Sequence, residues 1–299
     1  MDAFDGQANR SGGGELQLCA ARVCASLLLF MLLDALLSAL AGRFASGGAP
    51  LYAAQAAAYA VSIGAAFAFC AKPGDARAAL SRPRAFSPVY AGAAFLAAVF
   101  LSSVCGRAVN ALLPGAQPAA APPVGAAGWF WFLLQNAALP ALLEELLFRG
   151  AIFSRLLPFG RRFAVVVSAA LFALSHSEPG TVPGAFLFGL LFGALRLETG
   201  SALPGMLLHL LNNAAAAGAL ALARGDAALY GRLSAAVWIV CGVCAGALAF
   251  GCFFKKKSPL PPRAAGEPRW TAFFAGPAGA LWLAASAAVI ILNTWEGMR

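Results

Sequence analysis

Histidine is almost absent from this chain: there are two, His176 and His209, in 299 residues. Charge is scarce too. Charged residues make up 11% of the chain, against roughly 25% in a soluble domain. No H-E-x-x-H is present, so the standard zinc-protease signature is missing. The seven cysteines are scattered and nearly all fall in apolar stretches, where a thiol packs as a small apolar group. Cys241 and Cys244 form a C-x-x-C in mid-helix with no second pair, which argues against a redox or metal role. The start, Met1 to Gln17, is polar and Gly-rich and lacks the basic stretch and cleavage site of a removed signal peptide. The first apolar stretch is therefore expected to be a retained span. No repeat of fixed period is present.

What fills the chain is apolar sequence. Hydrophobic residues make up 61% of it. A membrane span needs roughly 20 mostly apolar residues. Such stretches run at 18–41, 50–71, 86–113, 128–157, 163–176, 183–197, 201–223, 231–254 and 270–293, the fifth and sixth being short. Open sheet edges cannot be satisfied in lipid. The expected fold is all-α: a polytopic integral membrane bundle of eight or nine transmembrane helices. Gly189 and Gly193, four apart, read as a small-residue packing face. Trp129, Trp131 and Trp295 fit interfacial belts.

The net charge of +9 would suit nucleic acid if it were clustered, but its spacing suits a bilayer instead. With the N-terminus cytoplasmic, 15 Lys and Arg fall on the cytoplasmic side and 5 outside, with Arg149 inside the membrane. This matches the positive-inside rule. Lys255, Lys256 and Lys257 read as a headgroup anchor. The chain divides into N-terminal helices at 1–127, a core at 128–225 and C-terminal helices at 226–299. A basic, Pro-rich cytoplasmic linker lies at 255–269.

Ionisable groups inside a bilayer are costly and usually functional. Glu144, Glu145 and Arg149 lie in one apolar stretch, and His176 and His209 in two others. Glu145 and Arg149 are four apart in the favourable order, so they read as an internal ion pair. Glu144 points about 100° away and has no intrahelical partner. It suits the role of general base for water. Phe172 and His176 share a face, as do His209 and Asn213. By the rise of a helix, Glu144 is about 22 Å from its outer entry, His176 about 20 Å and His209 about 12 Å from the inner one. All three can meet inside the core. Histidine can move protons near neutral pH, and Asn can donate to an oxyanion. Together these groups suit acyl hydrolysis: Glu144 activates water, His176 assists, and His209 with Asn213 holds the tetrahedral intermediate. Asp34, Asn110, Gln135 and Asn136 read as structural polar groups, Asp34 pairing with Arg22 or a neighbouring helix.

The three elements E-E-x-x-x-R (Glu144, Glu145, Arg149), F-x-x-x-H (Phe172, His176) and H-x-x-x-N (His209, Asn213) resemble the CPBP family. That family comprises CAAX proteases and bacteriocin-processing (Abi-type) enzymes, among them the Ras-converting CAAX endopeptidases. The resemblance covers about 128–225. It implies intramembrane peptide-bond hydrolysis, with Glu144 and His176 as the catalytic pair and His209 and Asn213 supporting the oxyanion. The reading that follows is an intramembrane endopeptidase acting on a membrane-associated peptide or protein, with the bilayer and not nucleic acid as its partner. Its expected place is a bacterial plasma membrane. No cofactor is expected. A divalent metal such as zinc would draw on Glu144, His176 and His209. Two other classes fit the polar set: a proton-coupled transporter and a non-catalytic scaffold or immunity protein.

Overall fold

The computed structural model describes residues 2–45, 47–113, 123–255 and 260–297, with side chains except in 2–12 and 252–255. The anchor expectation on Lys256 and Lys257, and the part of the Pro-rich linker at 256–259, lie outside the described residues.

The protein is 84% helical, with no strands among the described residues. Among the described residues eleven helical elements follow in order: α1 Asp2–Phe44, α2 Gly48–Cys70, the short α3 Asp75–Ala79, α4 Pro88–Leu112, α5 Gly125–Phe159, α6 Arg161–Leu174, α7 Val182–Thr199, α8 Leu203–Gly225, α9 Ala227–Lys255, α10 Thr271–Phe274 and α11 Pro277–Gly297. Eight of them are long and apolar enough to cross a membrane. The fifth apolar stretch, α6, has 14 residues and is short, as its sequence suggests. The sixth, α7, reaches 18.

Local chemistry sets the helix ends. Ser87 caps α4 by accepting from Tyr90 N, with Pro88 at the first helical position. Gly160, at φ 137, separates α5 from α6, a conformation that a side chain would strain. Gly200 ends α7 in the left-handed conformation.

α5 is not a regular helix. It passes through two π-helical segments, Leu134–Ala138 and Leu146–Ile152. Pro140 cannot donate to Asn136 O, and its ring would crowd that carbonyl. The widened turn just before it bonds Leu139 N to Leu134 O instead. The two segments bracket Leu139–Glu145, the α-helical piece that carries both carboxylates. Such single-turn widenings recur at functional sites.

The main core joins α1, α2, α5, α6 and the α10–α11 unit, with Leu27, Ile63, Leu147, Ile152, Phe163, Leu171 and Trp282 fully buried. α4 packs on α7 and α9, and α8 lies against α5, α7 and α9. Large apolar side chains on the outside, such as Leu32, Val237, Ile239 and Val243, suit contact with lipid tails. At Gly189 a Cβ would lie 2.8 Å from Ala169 Cα, and at Gly193 3.3 Å from Val165. The two glycines let α7 lie directly on α6.

Arg22, Arg84 and Arg155 answer helix carbonyls at the basic end of the bundle. Arg22 Nε donates to Phe69 O at 2.9 Å and stacks on the Phe69 ring. Arg155 donates to Cys70 O, and Arg84 Nη2 to Leu197 O. These bonds satisfy acceptors that the last turns of α2 and α7 leave open. Arg22 is thus engaged away from Asp34, whose Oδ1 makes no hydrogen bond among the described residues.

The close α6–α7 contact yields a prediction. Gly189→Ala should cost about 1–3 kcal/mol through overpacking. Gly218→Ala in α8 has open space at its Cβ and should not destabilise. Melting of the two variants in detergent checks this; equal midpoints would contradict it.

Candidate functional site

Glu145 and Arg149 have no exposed surface, and their ion pair spans 3.1 Å within α5. A buried charge is tolerable only when it is paired and further bonded. Arg149 Nη2 also donates to Gly189 O at 3.2 Å. Its guanidinium lies over the Phe172 ring at 4.5 Å and near Phe192 at 5.5 Å. These aromatic faces attract a cation in a dry setting. Arg196 Nε donates to Arg149 O at 3.1 Å. One arginine therefore touches α6 and α7 from α5.

Glu144 points away from that pair. Tyr59 on α2 donates its hydroxyl hydrogen to Glu144 Oε1 at 2.6 Å. Glu144 Oε2 is buried and makes no hydrogen bond among the described residues. The ionisable side chain facing it is His209 on α8, with Nε2 3.9 Å from Glu144 Oε2. The other ring nitrogen, Nδ1, lies 3.6 Å from Glu145 Oε1. His209 thus sits between the two carboxylates. Its ring stacks on Phe192 at 5.6 Å and meets Phe172 edge-on at 5.8 Å. α8 can come this close because residue 205 is glycine. A Cβ there would lie 3.2 Å from Glu145 Oε2 and 3.3 Å from Phe192 Cβ.

His176 is not inside a helix. α6 ends at Leu174, and His176 lies in the following loop. Its Nδ1 is 2.9 Å from Phe172 O. A carbonyl only accepts, so Nδ1 carries the hydrogen and a neutral ring presents Nε2 as acceptor. The Phe172 ring touches both histidines, at 5.0 Å to His176 and 5.8 Å to His209. Within 4 Å, Glu144 pairs with His209 and not with His176 among the described residues. Asn213 Oδ1 accepts from Asn212 Nδ2 at 3.2 Å, and the Asn213 NH2 makes no hydrogen bond among the described residues. No group of three His, Cys, Asp or Glu placed to hold a metal is found among the described residues.

Residues 126–215 match the Rce1-like family of type II CAAX prenyl endopeptidases. This agrees with the CPBP and CAAX-protease resemblance of the three motifs, and every motif residue lies inside the match. The Rce1-like family is one of peptidases, and membrane-spanning helices give this region a lipid setting. Neither a search of curated proteins nor one of solved structures gave a match.

Two contributors to the site escape motif reasoning. Tyr59 lies outside the Rce1-like region, on α2. Its signal was a polar stripe: Gln55 and Tyr59 are four apart on an otherwise apolar helix, and Gln55 Oε1 accepts from Gln135 Nε2 at 3.2 Å. Gly205 could be found only from the packing. Asn136 donates to Phe132 O within its own helix and so does not link helices through that bond.

Arg149→Ala strands Glu145 without its cation and should cost about 3–5 kcal/mol, as other broken buried pairs do. Glu144→Gln keeps shape and should cost less. Equal yields and equal melting of the two variants would contradict this.

Proposed function

We propose that the protein is an intramembrane endopeptidase that hydrolyses peptide bonds of membrane-associated peptides or proteins. The observation that carries the reading is the division of the Glu144 carboxylate: Tyr59 engages Oε1, while Oε2 makes no hydrogen bond among the described residues. That oxygen takes a proton from water. The water oxygen bonds to the scissile carbonyl carbon, and a tetrahedral oxyanion forms. Glu144 then returns the proton to the leaving nitrogen as the C–N bond breaks. His176 assists through Nε2, its Nδ1 hydrogen being committed to Phe172 O. His209 and the free amide of Asn213 support the oxyanion. Glu145 and Arg149 hold His209 and the aromatic wall in place.

The chain sits in a bacterial plasma membrane with its basic end cytoplasmic and its N-terminus on that side. The same reading assigns Tyr59 a positioning role: it orients Glu144 so that Oε2, and not Oε1, meets the water.

The deciding experiment uses purified protein in detergent, quenched fluorescent peptides, and wild type against Glu144→Gln, with and without a strong chelator. The expected result is cleavage that needs Glu144 and survives chelation. Cleavage abolished by chelation and restored by zinc would move Glu144, His176 and His209 into ligand roles. No cleavage by a folded wild type would favour a carrier or a scaffold.

Tyr59→Phe should lower kcat by about 10- to 100-fold, the worth of a hydrogen bond to a charged group. KM should stay within a few-fold, because Tyr59 does not bind substrate. A kcat within twofold of wild type would remove Tyr59 from the mechanism.

A further inference from the structure

A cavity of about 470 Å³ opens at the basic end of the bundle, remote from Glu144. It lies where α6 begins and the 260–271 segment crosses it. Arg162, Arg263, Arg269, Trp270, Thr271 and Glu267 line it, over apolar surface from Phe163 and Val166.

The walls are built and not merely adjacent. Glu267 is only 6% exposed. Its carboxylate accepts from Phe163 N at the start of α6 and from Ala264 N at 2.9 Å. Arg263 donates through Nε and Nη2 to Glu267 O, at 3.1 and 2.6 Å. The one acidic side chain of the lining is therefore spent on backbone donors. Arg162 and Arg269 are exposed and form no ion pair among the described residues. Three guanidinium groups thus face one cavity against a single committed carboxylate. Trp270, 56% exposed, stands at its rim.

We propose that this cavity binds the phosphate headgroup of an anionic phospholipid. Guanidinium groups grip phosphate oxygens bidentately. Basic pockets between transmembrane helices on the cytoplasmic side take such headgroups. A Trp at the rim suits the headgroup level, and the apolar floor suits the first carbons of the acyl chains. The volume far exceeds that of a bare phosphate, since a water takes about 30 Å³. The lipid would tie the 260–271 segment, and with it α10 and α11, to the start of α6. The far end of α6 leads into His176. This proposal does not depend on the peptidase reading.

The test is thermal unfolding of the full chain in neutral detergent, titrated with phosphatidylglycerol, phosphatidylcholine or inorganic phosphate. Wild type is compared with an Arg162→Gln/Arg269→Gln double variant and with Arg232→Gln, a control at the opposite end. Phosphatidylglycerol should raise the midpoint of wild type and of the control, and phosphatidylcholine should not. The double variant should bind phosphatidylglycerol roughly 30-fold more weakly, which converts about 1 kcal/mol for each arginine removed. Equal affinity in the double variant, or equal shifts from both lipids, would overturn the proposal. A full shift from inorganic phosphate alone would overturn the lipid as the source. If the double variant does not fold, lipid retention by wild type in native mass spectrometry decides. Preferential carry-over of phosphatidylglycerol supports the site, and equal carry-over of both lipids overturns it.

Discussion

A guanidinium with no exposed surface, in a bundle built for hydrocarbon, constrains everything packed around it. Arg149 is tolerable only because Glu145, Gly189 O and the faces of Phe172 and Phe192 surround it. Those partners lie on α5, α6 and α7. The charge therefore forces three helices into one arrangement. The same arrangement brings α8 in, since His209 stacks on Phe192 and its Nδ1 faces Glu145. Glycines at 189 and 205 are the steric condition for this closeness. A methyl group at either would press on a backbone or a carboxylate.

Adjacent carboxylates on one helix then take different environments. Glu145 is neutralised inside its own helix, and its surroundings are fully dry. Glu144 faces α2 and α8, with a phenol on one oxygen and an imidazole across a gap from the other. One serves to organise and the other is left with an uncommitted oxygen. The separation follows from helix geometry, because neighbours diverge by about 100°. The π segments on both sides of Leu139–Glu145 set how that piece is presented.

The two ends of the bundle do different work. At the basic end, arginines close helix carbonyls and frame the cavity at the start of α6. Toward the other end, α6 gives way to the loop that carries His176, and Asn293 of α11 donates to Ser177 O at 3.3 Å. The C-terminal helix thus touches the protein close to a residue of the proposed site. Although a Pro-rich linker precedes that helix, Phe273, Phe274 and Trp282 are part of the main apolar cluster.

Much of this was legible in the sequence. Apolar length and the cost of open edges in lipid dictate a helical bundle. The i,i+4 spacing of Glu145 and Arg149 dictates their pair, since helical neighbours at that spacing meet whatever surrounds them. Glu144 was left over by the same geometry. Tertiary structure alone decided what Glu144 meets. Tyr59 is 85 residues away in sequence and belongs to a helix without a motif, so no local spacing could announce it. Tertiary structure also decided that His209, and not His176, comes within 4 Å of Glu144. That outcome depends on where α6 stops and on how closely Gly205 lets α8 approach. Periodicity tells which residues share a face; only packing tells which face that is turned toward.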